Sequence, residues 1–154
     1  MITLPFVKSN NGSAKDSSAQ GPIIELRDVH KSYTSAAGEF RALRGVNLQI
    51  NAGEFVSIIG KSGSGKSTLL NMVTGIDRPT AGEVFVNGTA VQKLDENQLA
   101  GWRGDNLGII FQFFQLLPSL SLMQNVILPM DLAGKHKPRE RRERAEHLLE
   151  IVDL

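Results

Sequence analysis

The residues with the clearest chemistry stand together at Gly60-Lys61-Ser62-Gly63-Ser64-Gly65-Lys66-Ser67, which fits the spacing G-x-x-x-x-G-K-[ST]. A polyphosphate needs several donors at once, and glycines let successive backbone N–H groups converge on it with no side chain in the way. A helix beginning at the end of such a loop adds positive potential. Lys66 is then placed to bridge β- and γ-phosphate oxygens, the Ser67 hydroxyl to ligate Mg²⁺, and Thr68 to donate to an inner phosphate. The ligand this implies is a nucleoside triphosphate. A plain glycine-rich turn carrying a solvated lysine is the bland alternative, and the flanking pattern weighs against it. A dinucleotide-binding G-x-G-x-x-G does not fit, because Thr68 stands where a third glycine would follow Gly63 and Gly65.

Such a loop has to be held between a strand and a helix. Residues 55–59 (FVSII) are apolar on both faces, as a central strand covered on two sides would be, and they feed directly into Gly60. After the loop, Leu69, Leu70 and Val73 follow the spacing of a core-facing helix, with Gly75 where a C-cap glycine belongs. Upstream, Ile24 and Leu26 alternate with Glu25 and Arg27, and Val46, Leu48 and Ile50 alternate with Asn47 and Gln49, so both stretches read as half-buried strands. Downstream, Val84 and Val86 lead to Asn87-Gly88, a strong hairpin signal, and on to Thr89-Ala90-Val91. Asp95 followed by Gln98 resembles a capping box that opens a short helix toward Arg103. Residues 107–111 (LGIIF) read as a second buried strand and 112–129 as irregular, punctuated by Pro118 and Pro129. Pro138 suits the first turn of a last helix, on which Ala145, Leu148, Leu149 and Val152 share one face and which is expected to reach Leu154. The small polar residues before Pro22 cannot bury enough surface to order themselves, so 1–21 is expected to be a disordered tail.

With 154 residues, 41% hydrophobic and 21% charged, the composition is that of one ordinary globular domain. Seventeen basic residues against sixteen acidic leave a formal charge of +1, no footprint for a polyanion, so nucleic acid is not an expected partner. The run 135–144 (KHKPRERRER) interleaves acids with bases, and Glu140 with Arg144 makes a helical i, i+4 pair, so it reads as a solvated helix face. The absence of Cys excludes disulfides and thiolate metal sites and agrees with a reducing compartment. No apolar run approaches the ~20 residues that span a bilayer, and no secretory signal is recognisable. His30, His136 and His147 match no metal-ligand spacing, and His147 is expected to pair with Glu143.

Over 23–154 the sequence resembles the ATP-binding cassette subunits of membrane transport systems. Leu43-Arg44-Gly45-Val46-Asn47-Leu48, Gly53-Glu54-Phe55, the loop GKSGSGKSTLL, Thr74-Gly75, Pro79-Thr80-Ala81-Gly82, Asn87-Gly88 and Phe111-Gln112 follow one another in that family's order. The resemblance implies an α/β fold, a P-loop NTPase cassette with a mixed sheet core, an antiparallel β subdomain and the start of a helical subdomain, with 22–154 a partial domain. It implies that Tyr33 stacks on adenine, where a tyrosine anchored at the edge of the small sheet is the alternative. It also implies that Gln112 approaches Mg²⁺ and the attacking water, with Gln115 a nearby competitor and two plain surface glutamines the alternative. Phe113, Phe114, Leu116, Leu117, Pro118 and Leu120 would meet the membrane subunit, or else belong to the core of the helical subdomain. The run 111–118, with Gln124-Asn125-Val126 and Leu128-Pro129, is similar to the branch serving lipoprotein release and macrolide efflux.

Hydrolysis in this family needs a strand that ends in a metal-binding carboxylate with a glutamate beside it. Asp131 follows Pro129 and Met130, and Asp153 lies on a helical pattern, so neither serves. The Leu-Ser-Gly-Gly-Gln signature, the Walker B strand, the D-loop and the switch histidine are absent too, and the sequence reads as part of a longer chain. The intact protein is accordingly expected to be an ATPase that binds ATP and Mg²⁺, pairs with a second cassette and a membrane permease, and lies peripherally on the cytoplasmic face of the cell membrane. The 154-residue chain itself is expected to be inactive. A nucleotide-binding module without turnover is the alternative, and a kinase or GTPase is a weaker one.

Overall fold

The computed structural model describes residues 21–36, 38–113, 115–134 and 136–154. The expected tail therefore lies, apart from Gly21, outside the described residues, as do Phe114 and Lys135. The chain divides into two compact units, Met1–Leu99 and Ala100–Leu154.

In the first unit, strands β1 (Ile24–Ser35), β2 (Gly38–Ile50), β3 (Ala81–Val86) and β4 (Thr89–Ala90) form an antiparallel sheet in the order β2-β1-β3-β4. Both long strands run past their expected ends, and Tyr33, expected between them, lies within β1 opposite Phe40. Strict alternation would turn Leu26 and Val29 to opposite faces. Asp28 at φ 47° shifts the register between them, and Asn47 Oδ1 accepts from its amide at 2.9 Å, so both residues are buried. Gly82 packs against that bulge, where any Cβ would overlap the Asp28 carbonyl oxygen. Asn87 and Gly88, at φ 50° and 75°, make the tight β3–β4 turn that their sequence announces.

Helix α1 (Lys66–Val73) covers this sheet through Leu69 and Met72, while Leu70, expected to face the core, is half exposed. The inward spacing is i, i+3 rather than i, i+1, because consecutive helical residues point about a quarter-turn apart. Gly75 at φ 64° ends the helix as expected, and a Cβ there would press on Leu99 and Val91. Leu26, Val29, Met72, Val84 and Leu99 are fully buried, each contributing roughly 1.5–3 kcal/mol. A 3₁₀ turn (Val91–Lys93) follows β4. Helix α2 (Glu96–Asn106) then opens on the anticipated capping box, in which Gln98 N donates to Asp95 Oδ1 and Asp95 N to Gln98 Oε1.

Two expected strands do not form. Residues 55–59 and 107–111 carry no ladder, and Phe55 (89%), Ile59 (69%) and Ile110 (100%) stand exposed. A strand exists only with a neighbour to pair with, and no described residue pairs with either run. Of the expected mixed core, the described residues thus form the antiparallel part.

In the second unit, α3 (Leu122–Ala133) and α4 (Pro138–Glu150) pack together. The first of these replaces much of the expected irregular stretch. Ser121 and Gln124 form a reciprocal capping box that starts it, and Pro129 lies inside it. Asn125 ties the preceding turn to the helix through Leu117 N, Leu117 O and Leu120 O. Pro138 opens α4 as expected, Ala145 is buried against its surroundings, and Arg141 joins Asp131 of α3 by an ion pair. The ion pairs along α4 are Arg139–Glu143 and Arg142–Glu146, whereas Glu140 turns back to cap Lys137 N. The helix stops at Glu150. Asp153 at φ 59° closes it with bonds from Asp153 N to Glu150 O and from Leu154 N to Leu149 O, so Val152 and Leu154 fall outside it and are exposed. No helix among the described residues is long and apolar enough to cross a membrane.

Candidate functional site

Residues 60–65 leave the unpaired run 55–59, turn through a bond from Ser64 N to Lys61 O (3.2 Å), and enter α1, whose first helical bond joins Leu69 N to Gly65 O (2.8 Å). Gly63 and Gly65 have φ of 75° and 88°, a left-handed conformation that glycine adopts without strain. Gly65 is also a close approach: a Cβ there would lie 2.8 Å from the Ala42 carbonyl oxygen and 3.2 Å from Leu43 Cδ2. The loop is thereby seated on β2. At Gly60 a Cβ would meet Ser64 Oγ at 2.6 Å.

The Lys66 ammonium donates to Gly60 O at 2.9 Å and Lys61 O at 2.8 Å, which folds its side chain back over the loop. Ser67 is exposed, Thr68 is half-buried, and a cavity of about 270 Å³ lies over 62–68, bordered by Phe40 and Ala42. A second hollow of about 360 Å³ runs along β2 from Phe40 to Asn47 and touches Gly63 and Ser64. Ser64 Oγ is buried without a hydrogen-bond partner. An orphaned hydroxyl, a glycine loop that side chains would fill, a lysine and an exposed serine at a helix start make a donor set that fits a polyphosphate with its metal. Among the described residues no group of His, Asp and Glu could hold a metal by itself, so a cation here would depend on Ser67 and the phosphates.

Of the expected loop residues, Ser62 to Thr68 line this one cavity, while Gly60 and Lys61 stand outside its lining and hold the Lys66 ammonium through their carbonyls. Tyr33 stands on the same unit, facing Phe40 across the strands, with its hydroxyl donating to Asp77 Oδ2 at 2.9 Å. Gln112 and Gln115 belong to the second unit and are exposed, Gln115 at φ 55°. Sequence reasoning missed Phe40, whose place beside the loop follows only from the pairing of β1 with β2, and it missed Asp77, 44 residues from Tyr33.

The family described as ABC transporter matches residues 43–154. The chain belongs to the ABC transporter family. It is 42% identical over 132 residues to the lipoprotein-releasing system ATP-binding protein LolD of Acinetobacter baylyi, covering 86% of this chain and 58% of that protein. It is 49% identical over 133 residues to the macrolide export ATP-binding/permease protein MacB of Hyphomonas neptunium, covering 86% and 20%. Among solved structures it resembles the ATP-binding cassette MJ0796, a dimer in a post-hydrolysis state bound to ADP and Pi, with a TM-score of 0.78 and 42% identity over 85% of this chain and 57% of that one. That cassette is from Methanocaldococcus jannaschii. The α/β cassette fold and the likeness to the lipoprotein-release and macrolide-export branch are both upheld. The chain spans little more than half the length of these cassette relatives.

Proposed function

We propose that the chain binds MgATP through the loop 60–68, as part of an ATP-binding subunit that in a longer protein hydrolyses ATP to drive a membrane permease. The observation that carries this is the convergence of Ser62 to Thr68 on one cavity, with a lysine that can leave the Gly60 and Lys61 carbonyls for a phosphate and a serine exposed at the helix start. Bound Mg²⁺ would neutralise phosphate charge, with Ser67 as a ligand; a metal role for Gln112 is carried by the family resemblance alone. Backbone amides of the loop orient the triphosphate, Lys66 adds charge at its far end, and Tyr33 supplies a flat face for adenine.

Among the described residues no carboxylate borders the cavity over 62–68, so on this reading the 154-residue chain holds nucleotide without turning it over. Cytoplasmic placement, peripheral at the membrane through the permease, pairing with a second cassette and a lean toward export follow from the family resemblance and are proposed with it. Equilibrium binding of labelled ATP to the purified chain tests the reading. Saturable, magnesium-dependent binding that Lys66→Ala removes is expected. Binding that survives Lys66→Ala, or none at all to folded protein, overturns it.

A further inference from the structure

Lys31 and Tyr33, two residues apart on β1, both meet Asp77, 46 and 44 residues further along the sequence. Lys31 Nζ donates to Asp77 Oδ1 at 2.6 Å and to Arg78 O at 2.8 Å, and Tyr33 Oη donates to Asp77 Oδ2 at 2.9 Å. The same ammonium lies 4.9 Å from the centre of the Tyr33 ring. Lys31 is the more enclosed partner, its side chain 12% exposed against 29% for Asp77. The carboxylate is itself fixed, since Arg78 N donates to it at 2.7 Å directly after α1 has ended at Gly75.

A tyrosine near the end of a two-stranded ribbon has rotational freedom that any stacking ligand must remove at an entropic cost. Here the hydroxyl is tied and one ring face is taken by an ammonium, so the ring is already set and the opposite face is the one left for a ligand. Phe40, the cross-strand partner of Tyr33, borders the cavity over 62–68, which puts the set ring next to the phosphate loop.

We infer that Asp77, held by Lys31, is a positioning residue that presets the Tyr33 ring as the platform for the nucleotide base. Base recognition then depends on a carboxylate outside the phosphate loop. The inference rests on the reading of Tyr33 as the stacking residue. It goes beyond that reading in making the affinity for the base, and not for the phosphates, answer to Asp77.

The test compares Mg-ATP with Mg-tripolyphosphate, which offers the loop a similar anion without a base, in equilibrium binding to the 154-residue chain. Tyr33→Ala is expected to weaken Mg-ATP about tenfold and leave tripolyphosphate unchanged. Asp77→Ala is expected to show the same selectivity at about threefold, with Asp77→Asn, whose amide oxygen still accepts from the hydroxyl, recovering part of the loss. In a Tyr33→Phe background, Asp77→Ala should add little, because the bond is already gone. The chain has one tyrosine, so ring-labelled tyrosine gives a single NMR signal set that Asp77→Ala should shift in the free protein. If Asp77→Ala weakens both ligands equally, or leaves Mg-ATP and the ring signals untouched while Tyr33→Ala weakens Mg-ATP alone, the positioning role is overturned. If Tyr33→Ala changes neither ligand, the stacking reading itself fails. Should Asp77→Ala not fold, Tyr33→Phe removes the same bond from the other side and is held to the same expectation.

Discussion

Replacing Gly65 by alanine separates the backbone conformation of the loop from its seat on β2. At φ 88° an alanine pays for a left-handed backbone, roughly 1–2 kcal/mol. Its Cβ must also displace the Ala42 carbonyl oxygen, 2.8 Å away, and Leu43 Cδ2, 3.2 Å away. The carbonyl is backbone, at a register shift but held on both sides by the paired residues Arg41 and Leu43, and it cannot swing aside as a side-chain tip would, so the overlap adds about 1–3 kcal/mol. Gly53 is the control, because its φ is 80° and nothing lies within 4 Å of its would-be Cβ. Thermal unfolding followed by circular dichroism should lower the midpoint by about 2–8 °C for Gly53→Ala and about twice that for Gly65→Ala, at about 2–4 °C per kcal/mol for a chain of this size. Mg-ATP affinity should fall more than about tenfold in Gly65→Ala alone, since moving the loop off β2 misaligns its amides. Equal destabilisation of the two variants, or unchanged affinity in Gly65→Ala, refutes the claim that the β2 backbone seats the loop.

Burial pushes the Asp77 carboxyl up, but hydrogen bonds from Lys31, the Arg78 amide and Tyr33 outweigh it and hold the group below its ordinary 3.8. A depressed folded value means stabilisation that is complete above 3.8 and lost as pH falls through the lower folded value. The stability gap between wild type and Asp77→Asn in urea unfolding should therefore be steady near neutrality and close below 3.8, and a gap that persists in acid contradicts this. Ser121→Ala removes one half of the α3 capping box and should cost about 1 kcal/mol, visible as faster hydrogen exchange at Gln124 and Asn125. With Phe55, Ile59 and Ile110 exposed, the isolated chain should self-associate with rising concentration. The double variant Phe55→Ser, Ile110→Ser should sediment as a smaller species, and no change on sedimentation would show that other surfaces drive association.

The sequence by itself determined whatever depends on neighbours a few residues apart. The spacing of Gly60, Gly65, Lys66 and Ser67 places a glycine loop at a helix start, Asn87-Gly88 makes a two-residue turn, and Asp95 with Gln98 caps a helix, because each is closed by bonds within one turn of chain. Ser121 and Gln124 carry the same short-range signal, set between Pro118 and Pro129, which by themselves favour coil. The apolar runs 55–59 and 107–111 have the pattern of strands, yet a pattern records only a need to be covered, and pairing is supplied by distant chain. The β1–β2 register that brings Phe40 to the loop, the Ala42 carbonyl that makes Gly65 obligatory, and the clamp of Lys31 and Asp77 on Tyr33 were decided by tertiary structure alone. Each joins residues about twenty or more positions from the loop, or from one another, and a side chain's reach across a fold is not written in its local sequence.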